Sequence, residues 1–188
     1  GVQTCALPIF ADGTVFEPYR RNDDLARPWA IPGTPGLMHR VGGLEKEDGS
    51  GNVSYDPQNH QKMVNTRAQK VRNVANVIGD LEVDGAQNGL LVLSWGGTSG
   101  ACRTAARVCA EQGKSVGHAH LRWLNPFPRN LGEILNRYDQ ILIPELNTGQ
   151  LRLIIKSEFS KDVEGFNKVQ GKPFAVSEIV EKINSMLT

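Results

Sequence analysis

The sequence has little that would direct it to nucleic acid or to a membrane. Its formal net charge is +1 over 188 residues, and no basic run is longer than Arg20-Arg21. Nucleic-acid binders carry a basic stripe or patch, so that partner class is not expected. No apolar run approaches the roughly 20 residues of a membrane-spanning helix. No basic start followed by an apolar stretch opens the chain, as a secretion signal would. Cysteine is scarce, with only Cys5, Cys102 and Cys109. No Cys-x-x-Cys pair exists, which argues against an iron–sulfur or zinc site inside the chain. Cys102 and Cys109 are separated by about 10 Å of helical rise, beyond disulfide reach. They read as core thiols of a reducing cytoplasm. Catalytic signatures are missing too. Ser94 is not in a Gly-x-Ser-x-Gly turn, no His-Glu-x-x-His occurs, and no catalytic Cys and His are paired.

What is present divides into three stretches. Gly1 to Ile9, GVQTCALPI, resembles a translated sequencing-library adapter whose final T would begin the Phe10 codon. On that expectation residues 1–9 are an adapter-derived artefact, Cys5 carries no information, and the protein continues upstream of Phe10. Residues 10–57 are rich in Gly, Pro, Asp and Arg, with no sustained period of 2 or 3.6. Two short strands around the Asp48-Gly49 turn are expected there. So long an irregular segment suits a linker or docking arm laid on another surface. Trp29, Ile31, Leu37, Met38, Val41 and Leu44 need apolar cover, which argues against plain disorder.

Residues 58–188 read as an α/β domain. Asp56 caps a helix with Pro57 in its first turn. Val64, Ala68, Val71, Ala75 and Ile78 mark an apolar face to about Ile78, and Gly79 stops it. The apolar run Leu90-Leu91-Val92-Leu93 suits a strand covered on both faces. Helices are predicted over 101–112, 130–137 and 148–159, and one more from a Ser177 cap to Met186. Further strands are predicted over 115–121, 140–143 and 163–169. The alternation implies a mostly parallel sheet in a three-layer α/β/α fold, preceded by an irregular arm and one long helix.

Two loops are candidate sites. Gly96, Gly97, Thr98, Ser99 and Gly100 form a glycine turn between strand and helix, suited to an anion, to helix capping or to tight packing. It lacks the dinucleotide and Walker patterns. Glu145, Asn147 and Gln150 follow the third predicted strand, where α/β sheets place their crevice. They are expected to contact a ligand or a partner subunit, or to cap the next helix. His118 and His120 share a strand face, but no third ligand has a telling spacing, so they read as structural. The charged run Glu45 to Asp48 reads as a solvated face. Trp123 and Phe127 read as loop aromatics that anchor an interface.

The strings ARPWAIPGTPGLMHRVGGLEKEDGSGNVSYDP (26–57), SVGHAHLRWLNPFPRNLGEIL (115–135), IPELNTGQL (143–151) and FNKVQGKPFAVSEIVEKI (166–183) occur in one order. Together they resemble the alpha subunit of 2-oxoacid:ferredoxin oxidoreductases, over nearly all of 10–188. The arm is most similar to the 2-oxoglutarate branch. The resemblance implies a fold like the transketolase C-terminal domain and a place at the C-terminal end of that subunit. It implies a cytoplasmic complex that decarboxylates a 2-oxoacid to an acyl-CoA. That complex would use thiamine diphosphate, Mg and an iron–sulfur cluster and pass electrons to ferredoxin. The partners implied are a beta subunit and the missing N-terminal domains of the alpha subunit. The family's pyrimidine-site glutamate and cluster cysteines have no counterpart here, so no catalytic residue is carried over and none of these cofactors is expected on this chain alone. The expected role is structure and subunit assembly. An autonomous interaction domain and a small anion-binding domain stand as alternatives.

Overall fold

The computed structural model describes residues 15–187; the expectation for residues 1–9 lies outside them. Contacts divide the chain into two compact units, the first running to Val74 and the second starting at Ala75.

In the first unit, helix α1 spans Pro57–Asn73. Asp56 Oδ1 accepts from the amides of Gln58 and Asn59, both at 2.7 Å, and Pro57 needs no partner at the first turn. The helix tightens into a 3-10 turn over Val74–Asn76, so its apolar period overruns the α-helix proper. The predicted apolar face is not buried. Met63 is the one buried residue of α1, while Val64 and Val71 stay exposed. The pattern reading places this helix with the α/β domain, but the contacts group it with the arm. Asn59 explains why: its side chain donates to the Lys46 carbonyl at 2.9 Å and accepts from the Asp48 amide at 3.1 Å. Around Asp48-Gly49 the expected strands reduce to single antiparallel bridges, Lys46 with Val53 and Tyr19 with Gly49. Gly49 sits at φ +81°, a conformation that glycine adopts without strain. Lys46 is not on a solvated face. It is 2% exposed, with Nζ donating to the carbonyls of Leu44 at 2.6 Å and Gly42 at 3.3 Å.

The second unit is a five-stranded sheet ordered β1-β3-β2-β4-β5. The strands are β1 Val83–Gly85, β2 Leu90–Trp95, β3 Val116–Leu121, β4 Gln140–Glu145 and β5 Glu164–Asn167. All pairs are parallel except β1 with β3. Helices α2 Ser99–Glu111, α3 Leu131–Arg137, α4 Gln150–Phe159 and α5 Val176–Met186 cover it. Alternation along β2 assigns its side chains to two cores. Leu90 and Val92 pack with Cys102, Ala105, Cys109, Ile179 and Ile183 of α2 and α5. Leu91 and Leu93 pack with Leu131, Ile134, Leu135, Leu151 and Ile155 of α3 and α4. The three-layer α/β/α expectation therefore holds. Helix α5 starts differently from expectation. Ser177 lies inside it, and Glu178 reaches back to the Ala175 amide at 2.7 Å while pairing with Lys168 Nζ.

β1 carries no sequence pattern, and a close backbone approach holds it. Tyr138 Oη donates to the Ala86 carbonyl at 2.6 Å, across β3 at Gly117. A Cβ on Gly117 would meet the Ala86 carbonyl oxygen and sit 2.5 Å from Tyr138 Oη. Gly117→Ala should therefore cost about 2 kcal/mol from overpacking. Urea titration of the variant checks this, and an unchanged midpoint would show that the strand has room to spare.

Candidate functional site

Crossovers that leave the middle of the sheet in opposite directions position the site. From β2 the chain crosses through α2 to β3 on one side. From β4 it crosses through α4 to β5 on the other. The strand order thus reverses between β2 and β4, and their carboxyl ends form the switch point where α/β sheets bind ligands. Both loops singled out in the sequence leave from this point: Gly96 to Gly100 follows β2, and Leu146 to Gln150 follows β4.

The glycine loop begins with a 3-10 turn, Gly96–Thr98. Gly96 has φ +56°. Thr98 is buried, and its Oγ1 donates to the Trp95 carbonyl at 2.8 Å, which folds the turn back on the strand. Neither Thr98 nor Ser99 offers its side chain as the expected helix cap; Thr98 is at the cap position without that bond. Gly97 and Gly100 have open space where a Cβ would project.

The second loop does two things. Asn147 Oδ1 accepts from the amides of Gly149 at 2.7 Å and Gln150 at 3.3 Å, which is the capping reading. Glu145 is fully buried. Its Oε2 accepts from the Leu151 amide and its Oε1 from the Arg152 amide, each at 3.0 Å. This carboxylate faces the N-terminus of α4, where it satisfies two orphan amides and sits favourably in the helix dipole. Glu145 is thus an internal brace of the loop, while Gln150 remains exposed.

One polar cluster was not legible as such. Ser94, fully buried on β2, lies between the two histidines of β3. Its Oγ is 2.8 Å from His118 Nε2 and 2.9 Å from His120 Nδ1. The parallel register, Ser94 opposite His120, brings them together. The Ser94–His118 distance is that of a nucleophile and its base, but a serine with no exposure cannot meet a substrate. The cluster is a satisfied polar island under a cleft of 790 Å³, whose lining includes Asp84, Ser99, Arg103, His118, His120 and Arg122. That cleft lies over β1 and β3 and shares only Ser99 with the predicted set. Burial, then repulsion from Arg103 and His120, pushes the His118 imidazole down to about 4, against a weaker opposing pull from Asp84. Burial, then Arg122 and Arg103, lowers His120 in the same direction. Of the two loop aromatics, Trp123 is 51% exposed, but Phe127 is buried and packs on Phe159 at 5.8 Å. Cys102 and Cys109 are buried as expected. Burial raises both thiols, Cys102 to about 12, so neither is a reactive thiolate. Among the described residues, no three His, Cys, Asp or Glu side chains are grouped to hold a metal ion.

Two measurements test this geometry. Glu145→Ala should cost about 1–3 kcal/mol by leaving the buried Leu151 amide and the half-buried Arg152 amide without an acceptor. Glu145→Gln keeps one acceptor and should cost less. Equal stability of Glu145→Ala and the parent would show that the brace is dispensable. For His118, the unfolded imidazole titrates at 6.5 and the folded one at about 4. The unfolded chain therefore takes up the proton first. The stability from neutral His118 is complete above pH 6.5 and is lost as pH falls to about 4, a change on the order of 3 kcal/mol. The difference in urea midpoints between parent and His118→Gln should shrink across that window. A constant difference would mean that His118 is not held neutral.

Comparison with known proteins agrees with this architecture. Residues 88–179 match the family model of the pyruvate:ferredoxin oxidoreductase core domain II. The 2-oxoglutarate oxidoreductase subunit KorA of Mycobacterium tuberculosis is 46% identical over 178 residues, covering 93% of this chain and 27% of that protein. The 2-oxoglutarate synthase subunit KorA of Methanothermobacter marburgensis is 25% identical over 150 residues, covering 78% of this chain and 40% of that one. The chain thus spans well under half the length of these relatives. A solved 2-oxoglutarate:ferredoxin oxidoreductase from Magnetococcus marinus, with 2-oxoglutarate, coenzyme A and succinyl-CoA bound, superposes with a TM-score of 0.87 at 27% identity. The match covers 94% of this chain and 31% of that one. Residues 88–179, just under half of the chain, are thus similar to the pyruvate:ferredoxin oxidoreductase core domain II, in a chain related along most of its length to KorA subunits of 2-oxoglutarate oxidoreductases.

Proposed function

We propose that this chain is a part of the alpha subunit of a 2-oxoglutarate:ferredoxin oxidoreductase. The whole enzyme would oxidatively decarboxylate 2-oxoglutarate to an acyl-CoA and pass electrons to ferredoxin. The carrying observation is the 46% identity to a KorA subunit across 93% of the chain. Within that enzyme this part serves structure and subunit assembly. Trp29 at 73%, Met38 at 92% and Val41 at 89% exposure are the apolar groups that would be covered by the rest of the alpha subunit or by the beta subunit. At the switch point, Gly96, Gly97, Ser99, Gly100, Asn147 and Gln150 would meet the crevice or a neighbouring subunit. Thr98 and Glu145 hold those loops in shape from inside.

The described residues do not fit the metal centres of such a complex. Cys102 and Cys109 are core thiols, unsuited to an iron–sulfur cluster, and no acidic group is assembled for magnesium. Thiamine diphosphate, Mg and the cluster would be held by the beta subunit or by other parts of the alpha subunit. No helix of the described residues is long and apolar enough to cross a membrane.

Reconstitution tests the reading. The full alpha subunit bearing this segment, co-expressed with its beta subunit, should reduce ferredoxin only when 2-oxoglutarate and coenzyme A are both present. The segment alone should do nothing. The triple substitution Trp29→Ser, Met38→Ser, Val41→Ser should lower co-purification of beta with alpha while leaving the circular dichroism of the segment intact. Faster turnover of pyruvate than of 2-oxoglutarate would sink the substrate assignment. Undiminished co-purification would sink the docking role.

A further inference from the structure

A second concavity lies wholly within the first unit. Its volume is 890 Å³, in the range of small-molecule sites. Its charged lining residues are Arg21, Arg27, Glu45, His60, Arg67 and Lys70. Glu45 is the one carboxylate among the lining residues, and it is already engaged. Arg67 Nη1 and Nη2 donate to its two oxygens at 3.1 Å each, and His60 Nδ1 lies 2.8 Å from Oε2. The hydrogen bonds from Arg67, helped by His60, hold the Glu45 carboxyl down at about 2. Four permanent cations against one carboxylate leave three positive charges in excess.

Apart from Arg67, these cations have no ion-pair partner among the described residues. Arg27 lies over the Tyr19 ring at 4.2 Å, and neither it nor Lys70 makes an ion pair among the described residues. Arg21 donates through Nη1 to the Leu25 carbonyl at 2.8 Å, while its Nε is buried and has no partner. Asp48, the carboxylate that bears on Arg21 from outside the cleft, is paired with Lys62 at 2.5 Å. Burial and the nearness of Arg27 and Arg67 both lower Arg21, so the guanidinium groups are held together against mutual repulsion. The wall between them includes the Gly42-Gly43 backbone, which has no side chains to block approach, and Val71 and Val74 supply an apolar side. Guanidinium forks match phosphate oxygens in pairs. An excess of three charges suits an ion with several negative charges better than a monocarboxylate.

We propose that this cleft binds a phosphoanhydride, its phosphates held by Arg21, Arg27 and Lys70. The site is separate from the switch-point loops and does not depend on the oxidoreductase reading. The test is calorimetric titration of the full chain with inorganic pyrophosphate at low salt. Binding is expected, weakening as sodium chloride is added. Arg27→Gln with Lys70→Gln should weaken it at least about tenfold, and Arg129→Gln, in the other unit, should leave it unchanged. Circular dichroism of each variant separates loss of the site from loss of the fold; should the double variant unfold, Lys70→Gln alone must still weaken binding. No binding at millimolar pyrophosphate, or an equal loss in Arg129→Gln, would overturn the proposal.

Discussion

The second unit depends on the complete burial of β2. Leu90, Leu91, Val92, Leu93 and Ser94 have no exposed surface. A strand in that state cannot sit at an edge or face water on one side. It must be flanked by parallel neighbours and covered by helices above and below. The right-handed crossover rule then leaves little choice. The connection through α2 goes one way and lies on one face. Those through α3 and α4 go the other way and lie on the opposite face. The switch point at the carboxyl ends of β2 and β4 follows from where this strand sits, before any side chain in the loops is considered.

Ser94 is the test of that constraint, because it places a hydroxyl in the same buried row. An unpaired hydroxyl there would cost on the order of 1–3 kcal/mol. Two histidines of β3 supply its partners, and the same burial that requires the bonds keeps His118 neutral enough to make them. The cluster therefore reads as a consequence of filling the strand, in spite of distances that resemble those of a catalytic pair. Glu145 follows the same logic at the end of β4. Its charge is buried where two helix amides can receive it.

The elements legible in the sequence are those whose signal is local. The apolar run of β2, the Asp56-Pro57 helix start and the strand–helix alternation depend on neighbours a few residues apart, and all appear close to their expected places. β1 was not legible, because three residues at an antiparallel edge have no period, and its position is set by Gly117 and Tyr138 far along the chain. The run Glu45 to Asp48 reads as solvated by composition. Lys46 instead turns inward, because two carbonyls of its own loop take its ammonium protons. Both candidate loops were found from their places at strand ends. The inward orientation of Glu145 and Thr98 was not, because orientation depends on the amides and carbonyls that the fold brings near.

The two units differ in what holds them. In the second, apolar side chains from both sheet faces are consumed in two cores. In the first, the tertiary ties are polar: Asn59 to Lys46 and Asp48, and Glu45 to Arg67 and His60. Most of its large apolar groups remain outside, with Met63 the buried exception. Net contributions of such polar ties are modest, about 0.5–1.5 kcal/mol each, so they fix a shape without supplying much stability. A segment built in this way spends little apolar surface on itself. That surface stays available for association, and the polar ties keep it in a form a partner can recognise. The excess of arginine around Glu45 has the same origin: where salt bridges rather than a core shape the chain, unmatched charge is left at its surface.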